Sequence, residues 1–260
     1  NAGSGRFNDA TESSGTRAPV GASSLALADV DGNGTLDLYV ATYRPDDIRD
    51  SSLVEVRMDQ GRPVAHPRYG DRLILTPEGV RERGDPDLLY LNDGHGGFRP
   101  VSWTGGAFLD EDGKPLQTAP RDWGLSASFY DVNGDHAPDL YVCNDYWTPD
   151  RFWINDGTGR FRAIAHTAVR HTSENSMGVD FADLDRDGWV DFLVVDMLSR
   201  DPRLRRRQAL AQTPVTWRPG DVESRPQVHR NTLFRNRGDG TFAEVADAAG
   251  LHATGWSWQP

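Results

Sequence analysis

The stretch Asp29-Val-Asp-Gly-Asn-Gly-Thr-Leu-Asp37 places carboxylate or amide side chains at its first, third, fifth and ninth positions. The same spacing returns in Asp131-Val-Asn-Gly-Asp-His-Ala-Pro-Asp139 and in Asp183-Leu-Asp-Arg-Asp-Gly-Trp-Val-Asp191. Short runs of β-forming residues lead into and out of each copy, as at 25–28 and 38–40 around the first. Each copy is therefore predicted to be a tight loop between two short strands, and we call the copies the first, second and third acidic loops.

A glycine-rich motif that ends in phenylalanine also recurs along the chain. Its copies are Asn1-Ala-Gly-Ser-Gly-Arg-Phe7, Asn92-Asp-Gly-His-Gly-Gly-Phe98, Asn155-Asp-Gly-Thr-Gly-Arg-Phe161 and Asn236-Arg-Gly-Asp-Gly-Thr-Phe242. Apolar runs precede the last three copies, and glycine supplies the positive φ that hairpin turns require. The motif predicts a strand, a tight turn and a second strand.

The acidic loop and the glycine-rich motif combine into one repeating unit: strand, acidic loop, strand, connection, strand, glycine turn, strand. Four short antiparallel strands in a repeated unit are typical of β-propeller blades, in which neighbouring blades bury each other's faces. The predicted fold class is therefore all-β, with blades at about 21–101, 123–165 and 174–245.

The connections and the ends of the chain refine this prediction. Insertions at about 44–87 and 199–230 are rich in Arg, Pro and Asp, and we expect them to cover one face as loops or short helices. Incomplete blades are expected at 1–20 and 246–260. Because about three blades cannot close a ring, residues 1–260 are predicted to be part of a larger propeller whose remaining repeats are its first partner.

The charge balance excludes some classes of partner. The 260 residues carry a formal charge of −11, whereas nucleic-acid binding requires a basic face. No run reaches the roughly 18 apolar residues of a membrane span. The single cysteine, Cys143, cannot form a disulfide within the chain. We therefore expect no nucleic-acid partner and no membrane span, and metal cations are the natural counter-charge.

The spacing of the acidic loops suits calcium. Oxygen donors at loop positions 1, 3 and 5, with glycine at position 6, allow a tight loop to wrap one hard cation. Position 7 would add its backbone carbonyl, and aspartate at position 9 would replace the distant glutamate of an EF-hand. The predicted Ca²⁺ ligands are Asp29, Asp31, Asn33, Thr35 and Asp37 in the first loop, Asp131, Asn133, Asp135, Ala137 and Asp139 in the second, and Asp183, Asp185, Asp187, Trp189 and Asp191 in the third.

The second loop departs from this pattern at His136, which stands where the other loops have glycine. Histidine tolerates the left-handed conformation better than most residues, so a calcium site is still expected there. The alternative for all three loops is a polar turn without metal, because Asp, Asn and Gly dominate β-turns. Clustered carboxylates without a cation would repel one another, which favours structural calcium.

Other features each have a functional and a structural interpretation. Arg237-Gly238-Asp239 spells the tripeptide that integrins recognise, but sister repeats hold other residues in this slot, so the repeat pattern itself generates it. His166 and His171 with Glu174 could form a zinc or acid–base site, or have no functional role. A basic run could hold an acidic glycan or another subunit, or form a solvated helical face. This run comprises Arg203, Arg205, Arg206 and Arg207.

Aromatic residues are abundant and could either line blade interfaces or stack sugar rings. They include Trp103, Trp123, Tyr146, Trp147, Trp153, Trp256 and Trp258. The sequence contains no G-x-S-x-G elbow, phosphate-binding loop, HExxH helix or CxxC pair. No catalytic residue is therefore assigned.

Three stretches resemble the FG-GAP or VCBS repeats of integrin-α-like propellers, in the branch of cartilage acidic protein and the ASPIC/UnbV-associated proteins. They are Ser176-Met-Gly-Val-Asp-Phe-Ala-Asp183, Asn231-Thr-Leu-Phe-Arg-Asn236 and Thr254-Gly-Trp-Ser-Trp258. The resemblance implies a seven-bladed ring, calcium in the acidic loops, and a secreted or cell-surface location. It implies no settled biochemical activity.

Three functions are consistent with these patterns. The first is a calcium-stabilised scaffold for extracellular adhesion or recognition, whose insertions contact a protein or glycan ligand. The second is a polysaccharide lyase or hydrolase, since propellers also host enzymes, but its catalytic residues would have to converge in one cleft. The third is a purely structural role in a larger assembly. The sequence favours the scaffold, because its candidate catalytic residues are scattered.

Overall fold

The chain is built mainly of short β-strands. A computed structural model describes residues 4–16, 21–44, 48, 54–76, 79–208, 222 and 224–260. A short helix, α1 (Thr11–Ser14), precedes the first sheet. Within the described residues the strands form several sheets, which confirms the predicted all-β class.

The first blade and its insertion occupy the N-terminal part of the chain. The strands are β1 (Ala22–Ala28), β2 (Asp37–Thr42), β3 (Val56–Asp59), β4 (Arg62–Ala65), β5 (Leu73–Thr76), β6 (Gly79–Glu82), β7 (Leu88–Asn92) and β8 (Phe98–Pro100), with a 3-10 helix at Pro67–Tyr69. The blade is the four-stranded sheet β1-β2-β7-β8, in which every neighbouring pair is antiparallel. Strands β3 to β6 form two separate hairpins between β2 and β7.

The second and third blades repeat this arrangement. Their strands are β9 (Phe108–Leu109), β10 (Gly124–Tyr130), β11 (Asp139–Asn144), β12 (Arg151–Asn155), β13 (Phe161–Ala163), β14 (Thr172–Ser173), β15 (Gly178–Ala182), β16 (Asp191–Val195), β17 (Gln227–Val228), β18 (Thr232–Asn236) and β19 (Phe242–Glu244), with helix α2 (Pro202–Gln208) after β16. The second blade is β10-β11-β12-β13 and the third is β15-β16-β18-β19. Strand β9 adds to β13 in parallel, and β14 pairs with β17 in parallel.

Apolar side chains from adjacent blades form two continuous cores. One lies between the first and second blades and contains Tyr39 and Leu140, and the other lies between the second and third and contains Tyr141 and Phe192. Strand β11 is buried along its whole length because its alternating side chains face both neighbouring blades. The blades thus depend on each other for burial, as expected of propeller repeats.

The first insertion differs from the prediction of loops or short helices. Its described part forms the hairpins β3–β4 and β5–β6, and Ile48, Tyr69 and Leu73 make a small core of their own. The turn Gln60-Gly61 has positive φ at both residues (47° and 77°), the geometry that joins two twisted strands by a two-residue turn.

The second insertion contains the short helix α2, in agreement with the prediction. Residues 209–221 and 223 of this insertion lie outside the described part of the chain. The predicted blade boundaries, and the incomplete blades at 1–20 and 246–260, stay predictions.

Candidate metal centre

Each acidic loop lies against the glycine turn of its own blade. The side-chain amide of Asn33 donates to the carbonyl of Asn92 at 3.2 Å in the first blade. In the third blade the amide of Asn236, which begins the glycine turn, donates to the carbonyl of Val190 at 3.1 Å. The loops join the first two strands of each blade, so the acidic residues gather at one end of the sheets.

The loops are also tied to the neighbouring blade. Val30 and Val132, at loop position 2, are buried in the two cores between blades. The carbonyl of Val30 accepts from the Asn155 amide at 2.9 Å, and that of Val132 accepts from the Asn236 amide at 3.0 Å. The first two loops are therefore part of the contact between blades.

The ninth-position aspartate joins its loop to the third strand of its blade. Asp37 accepts from the backbone N–H groups of Val30 at 2.9 Å and Asn92 at 2.8 Å. Asp139 accepts from Val132 and Asn155 in the same way, and Asp191 from Leu184 and Asn236. These aspartates are buried. The sequence predicted them only as metal ligands and missed this structural role.

Burial raises the pKa of two of these ninth-position carboxyl groups. The pKa of Asp37 lies above its ordinary value, and that of Asp139 rises to about 7, in each case mainly because burial disfavours the charged form. Backbone N–H donors oppose the shift at both residues.

The first-position aspartate is the centre around which each loop folds. The carboxylate of Asp29 accepts from the N–H groups of Asn33 (3.0 Å) and Gly34 (2.8 Å). Asp131 accepts from Asp135 and His136, and Asp183 from Asp187 and Gly188. The repeated sequence therefore produces the same backbone wrap three times.

Two residues of each acidic loop, at positions 4 and 6, have a left-handed backbone conformation. At position 6 the φ angles are 87° for Gly34, 69° for His136 and 90° for Gly188. His136 thus adopts the conformation that its place in the repeat requires. Position 4 is left-handed as well, and in the third loop it is held by Arg186 at φ 62°. The sequence interpretation missed the requirement at position 4, although Gly32 and Gly134 were its signal.

The first and third loops bring carboxylates together. One oxygen each from Asp29, Asp31 and Asp37 lie within 4.8 Å of one another, and so do oxygens of Asp183, Asp185 and Asp187. Three oxygen donors in a small space fit a hard cation such as Ca²⁺, which takes six to eight oxygens. Among the described residues, the second loop forms no such trio of acids. There, the amide of Asn133 donates to Asp135 at 2.9 Å.

The third loop already attracts a cation from the chain itself. The guanidinium of Arg235, on β18, lies 2.6 Å from a carboxylate oxygen of Asp185 and 4.0 Å from one of Asp187. A positively charged group thus contacts two members of the carboxylate cluster. This observation supports a cation-binding surface, and the sequence analysis did not find it because Arg235 lies far from the loop in sequence.

The position 7 residues pack on the glycine turns of their own blades. A Cβ added at Gly94 would lie 3.2 Å from Thr35, and one at Gly157 would lie 3.6 Å from Ala137. At Gly238 the added atom would lie 2.5 Å from the indole nitrogen of Trp189. The position 7 residue thus takes the same place in each blade, and the predicted ligand residues lie in three equivalent loops.

The opposite end of the first two blades carries buried aspartates that the sequence analysis also missed. Asp87 accepts from the Tyr39 hydroxyl and the Thr42 N–H, both at 2.7 Å. Asp150 accepts in the same way from the Tyr141 hydroxyl at 2.7 Å and the Asn144 N–H at 2.8 Å. Burial raises the pKa of each carboxyl to about 7.

The candidate acid–base residues are not brought together by shared contacts. His171 faces Glu244, with 3.6 Å between Nε2 and a carboxylate oxygen, whereas Glu174 faces His229 at 3.3 Å. The backbone N–H of His166 donates to Glu111. Each of the three predicted residues therefore has a different partner.

The integrin-type tripeptide is part of a packed hairpin turn. Gly238 lies under Trp189, and the Asp239 carboxylate accepts from the N–H and the hydroxyl of Thr241 at 2.9 and 2.6 Å. These contacts agree with the interpretation that the repeat pattern generates the tripeptide.

The tryptophans fall into a buried group and an exposed group. Trp103 and Trp153 are buried in the core between the first two blades, as expected for interface residues. Trp123 is also buried. Trp256 and Trp258 are each 61% exposed, so stacking on a ligand stays a prediction for these two.

Comparison with known proteins supports the repeat assignment over part of the chain. Residues 131–194 match the family of FG-GAP-like repeats. This match begins at the second acidic loop and ends in β16, after the third. No curated protein matches the chain. In the described residues, no helix has the length and apolar character needed to cross a bilayer.

Proposed function

We propose that this chain is a calcium-stabilised scaffold of propeller blades that serves extracellular recognition and has no enzymatic activity of its own. The observation that carries the proposal is the convergence of acidic side chains in equivalent loops. Asp29, Asp31 and Asp37 converge in the first loop, and Asp183, Asp185 and Asp187 in the third. The FG-GAP-like match over 131–194 supports the scaffold type.

The contacts of the loops indicate what calcium would do. A bound ion would neutralise the converging carboxylates and hold the loop in one shape. Because Val30 and Val132 anchor the first two loops to the following blade, a fixed loop would also strengthen the contact between blades. Ligand binding to the folded state alone stabilises by about 2.7 kcal/mol per site at a hundredfold excess over Kd.

The insertions support a recognition role. Consecutive turns of an antiparallel sheet lie at opposite ends, so the hairpins between β2 and β7 and helix α2 after β16 extend from the end opposite the acidic loops. We place the contact with a protein or glycan ligand on this side, because long connections commonly carry binding residues. Export to the cell surface or the medium belongs to the same proposal.

The rest of a ring is the remaining proposed partner. Leu184, at position 2 of the third loop, corresponds to the buried Val30 and Val132, yet it is 57% exposed. An apolar side chain that is buried in two repeats and exposed in the third supports a further blade packing on this side.

Titration calorimetry of the calcium-free chain tests the metal sites. We expect at least two Ca²⁺ ions to bind, and we expect Asp31→Asn and Asp185→Asn each to weaken one of them. Asp112→Asn is the matched control, because Asp112 is an exposed carboxylate outside the loops that pairs with Lys114. Absence of binding, or equal binding by all variants, would contradict the proposal.

A further inference from the structure

Arg235 is placed differently from its counterparts in the other two blades. In the register of the third and fourth strands, Arg235 pairs with Ala243, whereas Leu91 pairs with Arg99 and Ile154 with Arg162. The arginine has thus moved from the fourth strand to the third strand in this blade alone. There its guanidinium reaches Asp185 at 2.6 Å and Asp187 at 4.0 Å.

The first loop differs from the third in this respect. Within the described part of the chain, no salt bridge involves Asp29, Asp31 or Asp37, and an aliphatic Leu91 stands at the position of Arg235. The two loops with converging carboxylates therefore differ in one respect that matters for a divalent ion: the third has a positive charge already seated on its ligands.

The seated guanidinium is replaceable. Arg235 is 56% exposed, and Asp185 and Asp187 are 35% and 34% exposed. Ion pairs this open to solvent hold together weakly, because water screens the attraction and the long side chain loses entropy. A divalent ion that engages several carboxylates at once can displace such a group, but it must work against the positive charge nearby.

We propose that Arg235 is an internal competitor for calcium in the third loop, so that the first loop fills at low calcium and the third only at higher calcium, when Arg235 is displaced from Asp185. This inference rests on the proposed calcium function of the loops. It makes the first site structural under all conditions and the third site responsive to the calcium concentration.

Trp189 supplies a readout that is specific for the third loop. It stands at loop position 7, where the first and second loops have Thr35 and Ala137. A terbium ion bound in the third loop would lie beside this indole and emit when the indole is excited, and Ca²⁺ would then displace it. Trp189→Phe should abolish the sensitised emission and so establishes its source.

The test compares the terbium and calcium affinities of the full chain with those of Arg235 variants. We expect Arg235→Leu, which introduces the residue of the first blade, to bind about three- to ten-fold more tightly at the third loop. Arg235→Gln also removes the charge and should raise the metal affinity of the third loop by a similar factor. Arg235→Lys should retain the wild-type affinity. Arg237→Leu is the matched control, since it removes an exposed arginine of the same hairpin, and should change the affinity less than two-fold, on the order of a distant screened charge.

The possible failures are distinguishable. Equal affinities in the wild type, Arg235→Leu and Arg235→Gln would overturn the competition while leaving calcium binding intact. Tightening by Arg235→Lys as large as that by Arg235→Leu would also overturn it, because the charge would then not be the cause. If neither the wild type nor the charge-removing variants gave Trp189-sensitised emission that Ca²⁺ displaces, the third loop would bind no metal, and the proposed function would fail there as well.

Discussion

Buried and solvent-open aspartates of the blades are used in opposite ways. At one end, Asp87 and Asp150 are buried, and each accepts hydrogen bonds from a tyrosine hydroxyl and a backbone N–H. At the other end, Asp31 and Asp185 are partly or largely open to solvent and lie beside further carboxylates in the loops. The same side chain is thus satisfied by the protein in Asp87, Asp150 and the buried ninth-position aspartates of the loops, and left with open oxygens in Asp31 and Asp185.

This difference indicates where we propose that a metal ion binds. A carboxylate that protein donors surround contributes to folding without an ion, whereas converging carboxylates with open oxygens repel one another, and a bound cation would offset that repulsion. The third loop shows both solutions at once, because Arg235 covers one side of its cluster.

Asp150→Ala should cause the largest loss of stability. The substitution leaves three buried donors without an acceptor, from Tyr141, Asn144 and Ser176. Each unsatisfied buried donor costs about 1–3 kcal/mol, so we expect a loss of about 3–5 kcal/mol in urea unfolding. The loss should be the same in EDTA and in calcium, because Asp150 lies outside the acidic loops.

Asp239→Ala is the control for that experiment. Its carboxylate also accepts two hydrogen bonds, but it is exposed, so water can replace them and we expect a much smaller loss than for Asp150→Ala. Equal losses for the two variants would contradict the special role of the buried end.

The pH dependence of stability should have opposite signs for the buried carboxyl groups and for the exposed carboxylates that would bind calcium. Burial raises the pKa of Asp150 from 3.8 to about 7, so the folded chain binds this proton more tightly than the unfolded chain. The resulting stabilisation is complete below about pH 4 and is lost as the pH rises through about 7. In EDTA, unfolding free energies should therefore fall between about pH 4 and 7, and Asp150→Asn should reduce this slope.

The acidic loops should behave in the reverse manner when calcium is present. Their carboxylates must be ionised to bind the ion, so the calcium-dependent part of the stability should disappear on acidification. A calcium effect that grows as the pH falls would contradict the assignment of the loop carboxylates as ligands.

His136→Gly should give the smallest effect, a gain in stability. His136 has φ 69° and its side chain is 97% exposed, so the substitution removes backbone strain and no buried contact. We expect a gain of about 0.5–1 kcal/mol in EDTA, measured by urea unfolding. Arg186→Gly, at the other left-handed position, should give a similar gain. Unchanged stability in both variants would mean that these loops carry no such strain.

The sequence predicted those parts of the structure that local spacing decides. The strand pairs around each acidic loop and the left-handed conformation of His136 follow from a repeat that keeps acidic or amide residues at positions 1, 3, 5 and 9. The turn at Gln60-Gly61 was missed, because its strands β3 and β4 lack a regular apolar pattern.

The parts that the sequence could not give depend on contacts between distant residues. Arg235 reaches Asp185 from another strand, and the hydroxyl of Tyr39 reaches Asp87 across the first insertion. No local pattern marks either pair. The ninth-position aspartates were found, but their hydrogen bonds to the third strand became visible only in the fold.

The most direct test of the account is a thermal melt of the chain in EDTA and in millimolar calcium, for the wild type, Asp185→Ala and Asp187→Ala. We expect a melting temperature that rises with calcium, a smaller rise in both variants, and an undiminished rise in Asp112→Ala. A melting temperature that is the same in EDTA and in calcium would show that the acidic loops are ordinary polar turns.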